Sequence, residues 1–302
     1  MNRGILYGIG AYALWGLLPI YWKALQGVPA TEILANRMVW SLAFVLLVLA
    51  IKKDWGWIRP SLHSQRILVT YFITACILAV NWFVYIWGVN HNFIVETSLG
   101  YFINPLVSVL LGVVFLHEKL RWGQLGAVAI AVLGVVYLTY GYGAVPWIAL
   151  TLAFTFATYG LLRKTGSLDS SQGLTMETAV LFLPAFTYLL VLQNQGRSAF
   201  AQGDPKTTLL LIGAGLATGI PLLLFGAAAR RITLTNLGLL QYIAPTLQFI
   251  LGVFVYGEAF SYTRLIGFSI IWFALAVYTM EGLLHNRRQN RQTVHLNESG
   301  SI

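Results

Sequence analysis

The fold is decided by the stretch GYFINPLVSVLLGVVFLHEKL, residues 100–120, which is echoed by LQYIAPTLQFILGVFVYGEAF at residues 240–260. Three residue types recur in both copies at the same spacing, on Pro105 and Pro245, Gly112 and Gly252, and Glu118 and Glu258. Shared leucines mean little between two apolar stretches, since apolar segments match by composition alone. A proline, a glycine and a glutamate at a fixed spacing therefore indicate an internal duplication.

The composition places the chain in a membrane. Of its 302 residues, 58% are hydrophobic and only 10% are charged, and the mean hydropathy is +0.72. A soluble domain carries about 25% charged residues, so a soluble fold of this composition could not cover its own surface. The only cysteine, Cys76, lies in an apolar run; it excludes an internal disulfide and is predicted to be a buried core residue.

Ten apolar segments are long enough to cross a bilayer, which takes about 20 residues. The first follows Met1-Asn2-Arg3 and is interpreted as an uncleaved span. A polar tail, 285–302, follows the last span and is predicted to be cytoplasmic and disordered. The predicted spans are 4–22, 33–51, 69–88, 94–116, 123–141, 146–164, 174–193, 208–228, 233–256 and 263–284.

The distribution of basic residues predicts the orientation. If the N-terminus is cytoplasmic, fourteen of the 19 Lys and Arg residues fall in cytoplasmic segments and four in external ones, with Arg37 inside a span. Cytoplasmic loops carry the excess of Lys and Arg in membrane proteins. The sequence thus predicts that both termini are cytoplasmic. It also accounts for the net charge of +9 without a nucleic-acid partner.

Ten spans and one duplication give two five-span repeats, 1–141 and 142–284. Because five is odd, the second repeat must enter the membrane from the opposite side. The fold class expected is an all-α membrane protein of ten helices in two inverted repeats. Such repeats are typical of secondary transporters, whose substrate site lies near the midplane between the halves. The alternative is a duplication without any consequence for transport.

These features resemble a known family. ALWGLLPIYWK (13–23), WGVNHNF (87–93), SLGYFINPL (98–106) and the matching QYIAPTL (241–247) are similar to segments of the drug/metabolite transporter superfamily, EamA family, RarD branch. The resemblance covers essentially residues 4–284. It implies a multi-pass permease of the bacterial inner membrane, of the chloramphenicol-sensitivity protein type. That designation does not identify a physiological substrate.

Polar side chains within the spans are the default candidates for a substrate cavity. In the fourth span, Thr97, Tyr101, Asn104 and Ser108 share one helical face. The ninth span carries polar groups at equivalent positions. The alternative is that all these groups only hold neighbouring helices together. The cavity candidates outside the fourth span are Tyr12, Trp15, Asn36, Arg37, Asn81, Trp82, Tyr85, Gln241, Tyr242 and Gln248.

The charged and helix-breaking residues complete the predicted site. Arg37 either reaches the outer surface or is buried, where it would hold an anionic substrate or pair with Glu96 or Glu177. Those two glutamates are the proton-coupling candidates. Pro105 and Pro245 are expected to interrupt their helices beside the polar stripes.

Two further roles are predicted at the ends of the spans. Glu118 and Glu258 are expected to be cap or loop partners near Arg121 and Arg264. Trp22 is expected to be an interfacial anchor, because aromatic residues near span ends usually lie at the membrane surface.

The sequence lacks the patterns of other function classes. A phosphate-binding G-x-x-x-x-G-K-[ST] loop and a G-x-S-x-G motif are missing, and the five histidines have no metal-ligand spacing. We therefore expect no enzyme, cofactor or metal, but a secondary transporter for a small metabolite or drug-like solute, with the bilayer as its other partner. A lipid-carrier flippase or intramembrane enzyme, and a non-transporting scaffold, are the alternatives. The oligomeric state is left open.

Overall fold

The computed structural model describes residues 2–91, 93–140, 145–200, 204–256 and 262–299, and all regular elements in these ranges are helical. Within these ranges, twelve α-helices and one π-helical turn follow one another. They are α1 Arg3–Lys23, α2 Ala30–Lys52, α3 Ile58–His63, α4 Gln65–Asn90, α5 Ile94–Leu116, α6 Trp122–Tyr140, α7 Trp147–Thr165, α8 Ser170–Asn194, α9 Pro205–Ala229, α10 Leu234–Leu240, α11 Ile243–Ile250, the π-helix Leu251–Val255, and α12 Tyr262–Ser299.

Nine spans in the described ranges are long and apolar enough to cross a membrane, with α10, α11 and the π-helix counted as one. The tenth is α7, which is less apolar because Arg163 and Lys164 occupy its last turn. It packs against α4, α5 and α9 and is mostly buried or half-buried, although Trp147 and Phe154 are each nearly half exposed. A helix with this much protein contact needs less apolar surface than one facing lipid throughout, so the structure is consistent with the ten-span prediction.

The helices pair across the two halves of the chain. The closest contacts join α5 to α7, α4 to α7, α2 to both α8 and α9, α1 to α9 and α11, and α6 to α12. If each span is exchanged for its repeat counterpart, five spans along the chain, the α5–α7 contact becomes the contact between α1 and the ninth span, which consists of α10, α11 and the π-helix. The α4–α7 contact becomes α1–α9, and the α2–α9 contact becomes α4–α8. The two halves therefore pack as pseudo-symmetric bundles.

The end of α5 shows that the two halves run in opposite directions. The Glu118 carboxylate follows α5 and accepts hydrogen bonds from the backbone N–H groups of Leu234 (2.5 Å) and Thr235 (2.9 Å), the first residues of α10. The fourth span thus ends where its repeat counterpart begins. This is the inversion expected from a five-span unit.

The outer surface of the bundle is apolar, as a lipid-facing surface must be. Leu47, Phe83 and Leu133 are each more than half exposed. Cys76 is exposed on the same kind of surface, so the prediction that it is a core residue was wrong. The position of a small apolar residue along a span does not say which side of the helix faces lipid.

The polar tail also differs from the prediction. Instead of becoming disordered at residue 285, the chain continues α12 as far as Ser299. The tail contains Arg and Gln but no proline, and its first glycine is Gly300. An existing helix is easily extended through residues of this kind, since propagation costs far less than nucleation.

The two repeat prolines behave differently. Helix α5 passes through Pro105 without interruption, so the predicted break there is absent. The ninth span does break, at Gln241 and Tyr242, between α10 and α11. Because Pro245 has no N–H for the Gln241 carbonyl, that carbonyl instead accepts from Ala244 at 3.1 Å in a tighter turn.

Candidate functional site

A cavity of about 320 Å³ lies between the two halves. Its walls are formed by α1, α2, α4 and α5 of the first half and by α7, α9 and the broken ninth span of the second half. Its volume falls at the small end of the usual range for ligand pockets, about 300–1,000 Å³. Its polar and aromatic lining residues are Tyr12, Trp15, Trp22, Arg37, Asn81, Trp82, Tyr85, Thr97, Tyr101, Asn104, Phe156, Thr218, Gln241 and Gln248.

The cavity lies toward the end of the bundle that is remote from the N-terminus. Trp22 is near the end of α1 and Ala30 is the first residue of α2, and both line the cavity. Tyr85, late in α4, and Thr97, early in α5, lie at the same level. We call this side the cavity end.

Arg37 projects from α2 into the cavity and is half-buried. Its Nε donates a hydrogen bond to Thr218 Oγ1 on α9 at 2.8 Å. Its Cζ lies 4.9 Å from a ring centroid of Trp22 and 5.0 Å from one of Trp82. Both distances are within the range of cation–π attraction, about 6 Å. The guanidinium is therefore held in place by neutral neighbours.

The expected partners of Arg37 are elsewhere. Glu96 Oε1 accepts from the backbone N–H of Ile148 at 2.7 Å, at the start of α7. Glu177 lies 3.6 Å from Arg163 Nη1 and accepts from the Tyr159 hydroxyl at 3.0 Å. Neither glutamate lines the cavity. The predicted pairing of Arg37 with either carboxylate is therefore not seen in the described residues.

The amide side chains connect the cavity wall to the helices behind it. Asn81 Nδ2 donates to the Leu152 carbonyl at 3.0 Å and to Thr155 Oγ1 at 2.8 Å, which joins α4 to α7. Gln248 Nε2 donates to the Trp15 carbonyl at 3.3 Å, which joins the broken span to α1. These groups serve both predicted roles, since they line the cavity and also hold helices together.

Aromatic rings form the apolar part of the wall. Trp15 packs against Tyr12 with ring centroids 5.5 Å apart and against Phe156 at 5.6 Å. Tyr85 and Tyr101 meet edge-to-face at 6.1 Å. Edge-to-face and offset contacts at these distances are the favourable arrangements of aromatic pairs. The apolar wall thus consists of rings packed against one another, and its tyrosine hydroxyl groups come from α1, α4 and α5.

Most of the predicted cavity residues come together, but three do not line the cavity. Asn36 is buried and donates to the Glu32 carbonyl of its own helix at 3.0 Å. Ser108 lies one turn beyond Asn104 and contacts its Oδ1 at 3.4 Å. Tyr242 donates to the Phe102 carbonyl at 3.1 Å. The residues brought together are Tyr12, Trp15, Arg37, Asn81, Trp82, Tyr85, Thr97, Tyr101, Asn104, Gln241 and Gln248.

Sequence reasoning missed Thr218, Phe156 and Trp22. Thr218 was detectable as a hydroxyl in an apolar span, between Gly215 and Gly219. Trp22 was interpreted as an interfacial anchor, but it lines the cavity and lies against Arg37. Phe156 carries no signal of its own, because 17 phenylalanines are spread along the chain.

The opposite end of the bundle, which we call the closed end, is joined by polar contacts between the halves. Besides the contacts of Glu118 with α10, Lys52 Nζ donates to Ser171 Oγ at 3.3 Å, and Gln172 Nε2 donates to Asp54 Oδ2 at 2.9 Å. Thus the end of α2 is tied to the start of α8.

Glu118 has the cap role predicted for it, on a helix of the other half. It caps α10, where it also accepts from Thr235 Oγ1 at 2.7 Å. The nearby Arg121 pairs with Glu281 on α12 at 2.6 Å. A carboxylate at a helix N-terminus satisfies N–H groups that lack partners within the helix. Glu258 lies outside the described residues.

Between the cavity and the closed end the bundle is filled by apolar side chains. Val107 and Leu111 of α5 and Leu234 and Leu237 of α10 belong to one buried cluster, each 9% exposed or less. Together with the polar contacts beyond it, this cluster separates the cavity from the closed end. Among the described residues, we find no group of His, Cys, Asp and Glu able to hold a metal ion.

Comparison with known proteins gives consistent matches. Residues 2–140 match the model of the EamA-like transporter family. The chain is 51% identical to Protein RarD of Streptomyces exfoliatus, over 95% of this chain and 91% of that protein. It is 46% identical to the uncharacterized transporter YojE of Bacillus subtilis, over 92% and 94%, and 39% identical to Protein RarD of Escherichia coli, over 96% and 98%.

A solved crystal structure aligns with this fold at a TM-score of 0.71 and 20% sequence identity. The alignment covers 92% of this chain and 98% of the other. At that identity the likeness concerns the fold alone, and it supports the all-helical arrangement described above.

Proposed function

The chain belongs to the EamA-like transporter family, in its RarD branch, and on that premise we propose that it is a secondary transporter moving one small solute by alternating access. The observation that carries the proposal is the cavity between two inverted halves, lined by polar and aromatic groups and separated from one end of the bundle by an apolar cluster. This is the arrangement typical of one of the two states that a transporter exchanges.

The two repeats, 1–141 and 142–284, are the units proposed to move against each other. Their symmetric pairing supports this, because two similar bundles can exchange conformations of nearly equal energy. The family match over residues 2–140 agrees with the extent of the first unit. With both termini cytoplasmic, as the basic residues predict, the cavity end faces outward and the closed end faces the cytoplasm.

Proton coupling remains part of the proposal, and the geometry favours Glu177 over Glu96 for it. Glu177 is fully buried, and its Oε1 has no hydrogen-bond partner in the described part of the chain. It faces Arg163 and Tyr159 of α7 and Tyr71 and Thr74 of α4. Taking up a proton would remove its attraction to Arg163, on helices that must move if the closed end is to open.

The test is transport by purified protein in liposomes, with and without a pH gradient, against a panel of neutral, anionic and cationic small solutes. We expect at least one solute to cross faster than in empty liposomes, and the pH gradient to change its rate. Movement of a lipid-linked probe without any soluble solute would favour a flippase. If neither crosses, the transport proposal fails and a scaffold role is favoured.

A further inference from the structure

Of the described residues that line the cavity, Arg37 is the only one that carries a charge. The other polar groups are hydroxyls, amides and indoles. A charged group within a span is costly, and it is normally paired with an opposite charge or with carbonyls. Arg37 has no carboxylate within salt-bridge distance among the described residues. The positive charge in the cavity therefore lacks a counter-charge from the part of the chain that the structure describes.

The guanidinium is positioned to bind an anion. Its Nε is occupied by Thr218 Oγ1, and its plane lies near two indole rings. In the described residues, the two terminal nitrogens have no protein acceptor within hydrogen-bond distance. These nitrogens present parallel N–H groups, the geometry that binds both oxygens of a carboxylate. Trp22 and Trp82 restrict the side chain, so little entropy is lost when an anion binds.

The rest of the cavity suits an apolar body. Trp15, Phe156 and Leu222 line it with carbon surface, and the hydroxyls of Tyr85 and Tyr101 are close enough to Arg37 to interact with it electrostatically. A volume of about 320 Å³ admits a small molecule rather than a large multi-ring compound. A small acid would place its charge on Arg37 and its carbon skeleton against the aromatic wall.

We propose that the substrates are small organic monocarboxylates with an aromatic or aliphatic body, and that the Arg37 guanidinium binds their carboxylate. This inference rests on the proposed transport function and names the substrate class of the same cavity. Phosphonates and inorganic anions share the negative charge but differ in geometry. The carboxylate is favoured because the two free nitrogens match two oxygens, and because one positive charge balances one negative charge.

Binding is tested by heat stability of the full-length protein in detergent. The probes are phenylacetate and octanoate, each beside its neutral amide of nearly the same shape, with benzylphosphonate and chloride as further anions. We expect both acids to raise the unfolding temperature and to bind at least tenfold more tightly than their amides. Equal effects of acid and amide, or no effect of either acid, would overturn the inference. A preference for the phosphonate or for chloride would also overturn it.

The matched variants are Arg37→Gln and Arg37→Lys. Arg37→Gln should abolish the difference between acid and amide, and Arg37→Lys should retain part of it, because the charge remains while the paired N–H geometry is lost. Arg121→Gln serves as the control, since Arg121 pairs with Glu281 outside the cavity. If the acid preference survives in Arg37→Gln, Arg37 is not the binding group.

Transport separates this inference from the function on which it rests. If neutral or cationic solutes cross the liposome membrane and acids do not, the protein is a transporter and the carboxylate assignment is wrong. If acids bind through Arg37 but no solute crosses, the binding site stands and the transport proposal fails.

Discussion

At the scale of single residues, the position of Glu118, the first of the two repeated glutamates, has a structural explanation. His117 ends α5 in the left-handed conformation, with a φ of 53°, and the Glu118 N–H bonds to the Gly112 carbonyl at 3.0 Å. The chain then turns so that the carboxylate reaches the first N–H groups of α10. A Cβ on Gly112 would come within 2.7 Å of Glu118 Oε2. The glycine and the glutamate are therefore parts of one interhelical cap.

Removing this cap should cost stability. We expect Glu118→Ala to lower the free energy of unfolding by about 2–4 kcal/mol. Three charge-assisted hydrogen bonds worth about 1.5–3 kcal/mol each are lost, and water replaces part of them because Glu118 is half-exposed. Thermal unfolding in detergent measures the effect. Glu281→Ala is the control, since its pair with Arg121 is partly exposed and should cost about 1 kcal/mol or less. Equal losses from the two variants would show that the cap has no special role.

Two buried asparagines allow packing to be separated from solute binding. Asn104 lines the cavity and is 3% exposed, while Asn36 is 1% exposed, outside the cavity, and bonded to its own helix. We expect Asn104→Ala to reduce transport in liposomes several-fold at nearly unchanged membrane abundance. Gln248→Ala should act in the same way.

Asn36→Ala should instead lower membrane abundance and total transport by the same factor. Both quantities are obtained from the same membranes, by quantitative immunoblotting and by uptake per molecule of protein. If Asn104→Ala also lowers both together, the cavity asparagine serves packing alone.

At the scale of elements, the fourth and ninth spans are equivalent in the repeat but not in shape. Helix α5 is continuous through Pro105, and the ninth span is split at Gln241 and Tyr242 before Pro245. The break leaves Gln241 lining the cavity and the Tyr242 hydroxyl bonded to Phe102. The broken span also continues into a π-helix, Leu251–Val255, a feature that often accompanies functional sites.

The two prolines can be compared directly. Pro245→Ala restores an N–H for the Gln241 carbonyl and should straighten the ninth span, which stabilises the protein but lowers its transport rate several-fold. Pro105→Ala should stabilise α5 with a smaller effect on transport, because that helix is already continuous. Thermal unfolding and liposome uptake measure both effects. A larger transport loss from Pro105→Ala would contradict the assignment of the break to the ninth span.

At the scale of the whole molecule, most helices make their most extensive contacts with helices of the other half rather than with helices of their own half. The pairs α5–α7, α2–α8 and α6–α12 all cross between halves. A cavity built in this way has walls from both halves, so a rocking motion can open one end while closing the other. The polar contacts at the closed end, Lys52 with Ser171 and Asp54 with Gln172, are the contacts that such a motion must break.

The inversion predicts which loops face each side. Equivalent loops of the two repeats should lie on opposite sides, so Gln26 and Gln195 should be external while Ser167 and Lys53 are cytoplasmic. Cys76→Ser gives a chain without cysteine, into which single cysteines are placed at these four exposed positions. A membrane-impermeant maleimide applied to intact cells should label Gln26→Cys and Gln195→Cys only.

Permeabilised cells provide the control, because all four variants should then react. Labelling of Gln26→Cys and Ser167→Cys from the same side would contradict the inverted arrangement. Labelling of Lys53→Cys and Ser167→Cys alone would keep the inversion but reverse the proposed orientation.

The number of spans, their approximate bounds and their inversion could be predicted from the sequence, because the cost of placing polar backbone and charge in lipid acts on every residue separately. The extension of α12 to Ser299 could not. The sequence also marked most of the cavity, since an Arg37 or Asn104 within an apolar span is conspicuous. Only the tertiary structure showed that Asn36 and Ser108 lie outside the cavity, that Phe156 and Trp22 belong to it, and that Glu118 caps a helix of the other half. Which side of a helix faces the cavity depends on how helices distant in the chain rotate and pack against one another. Those interhelical contacts cannot be read from any single segment of the sequence.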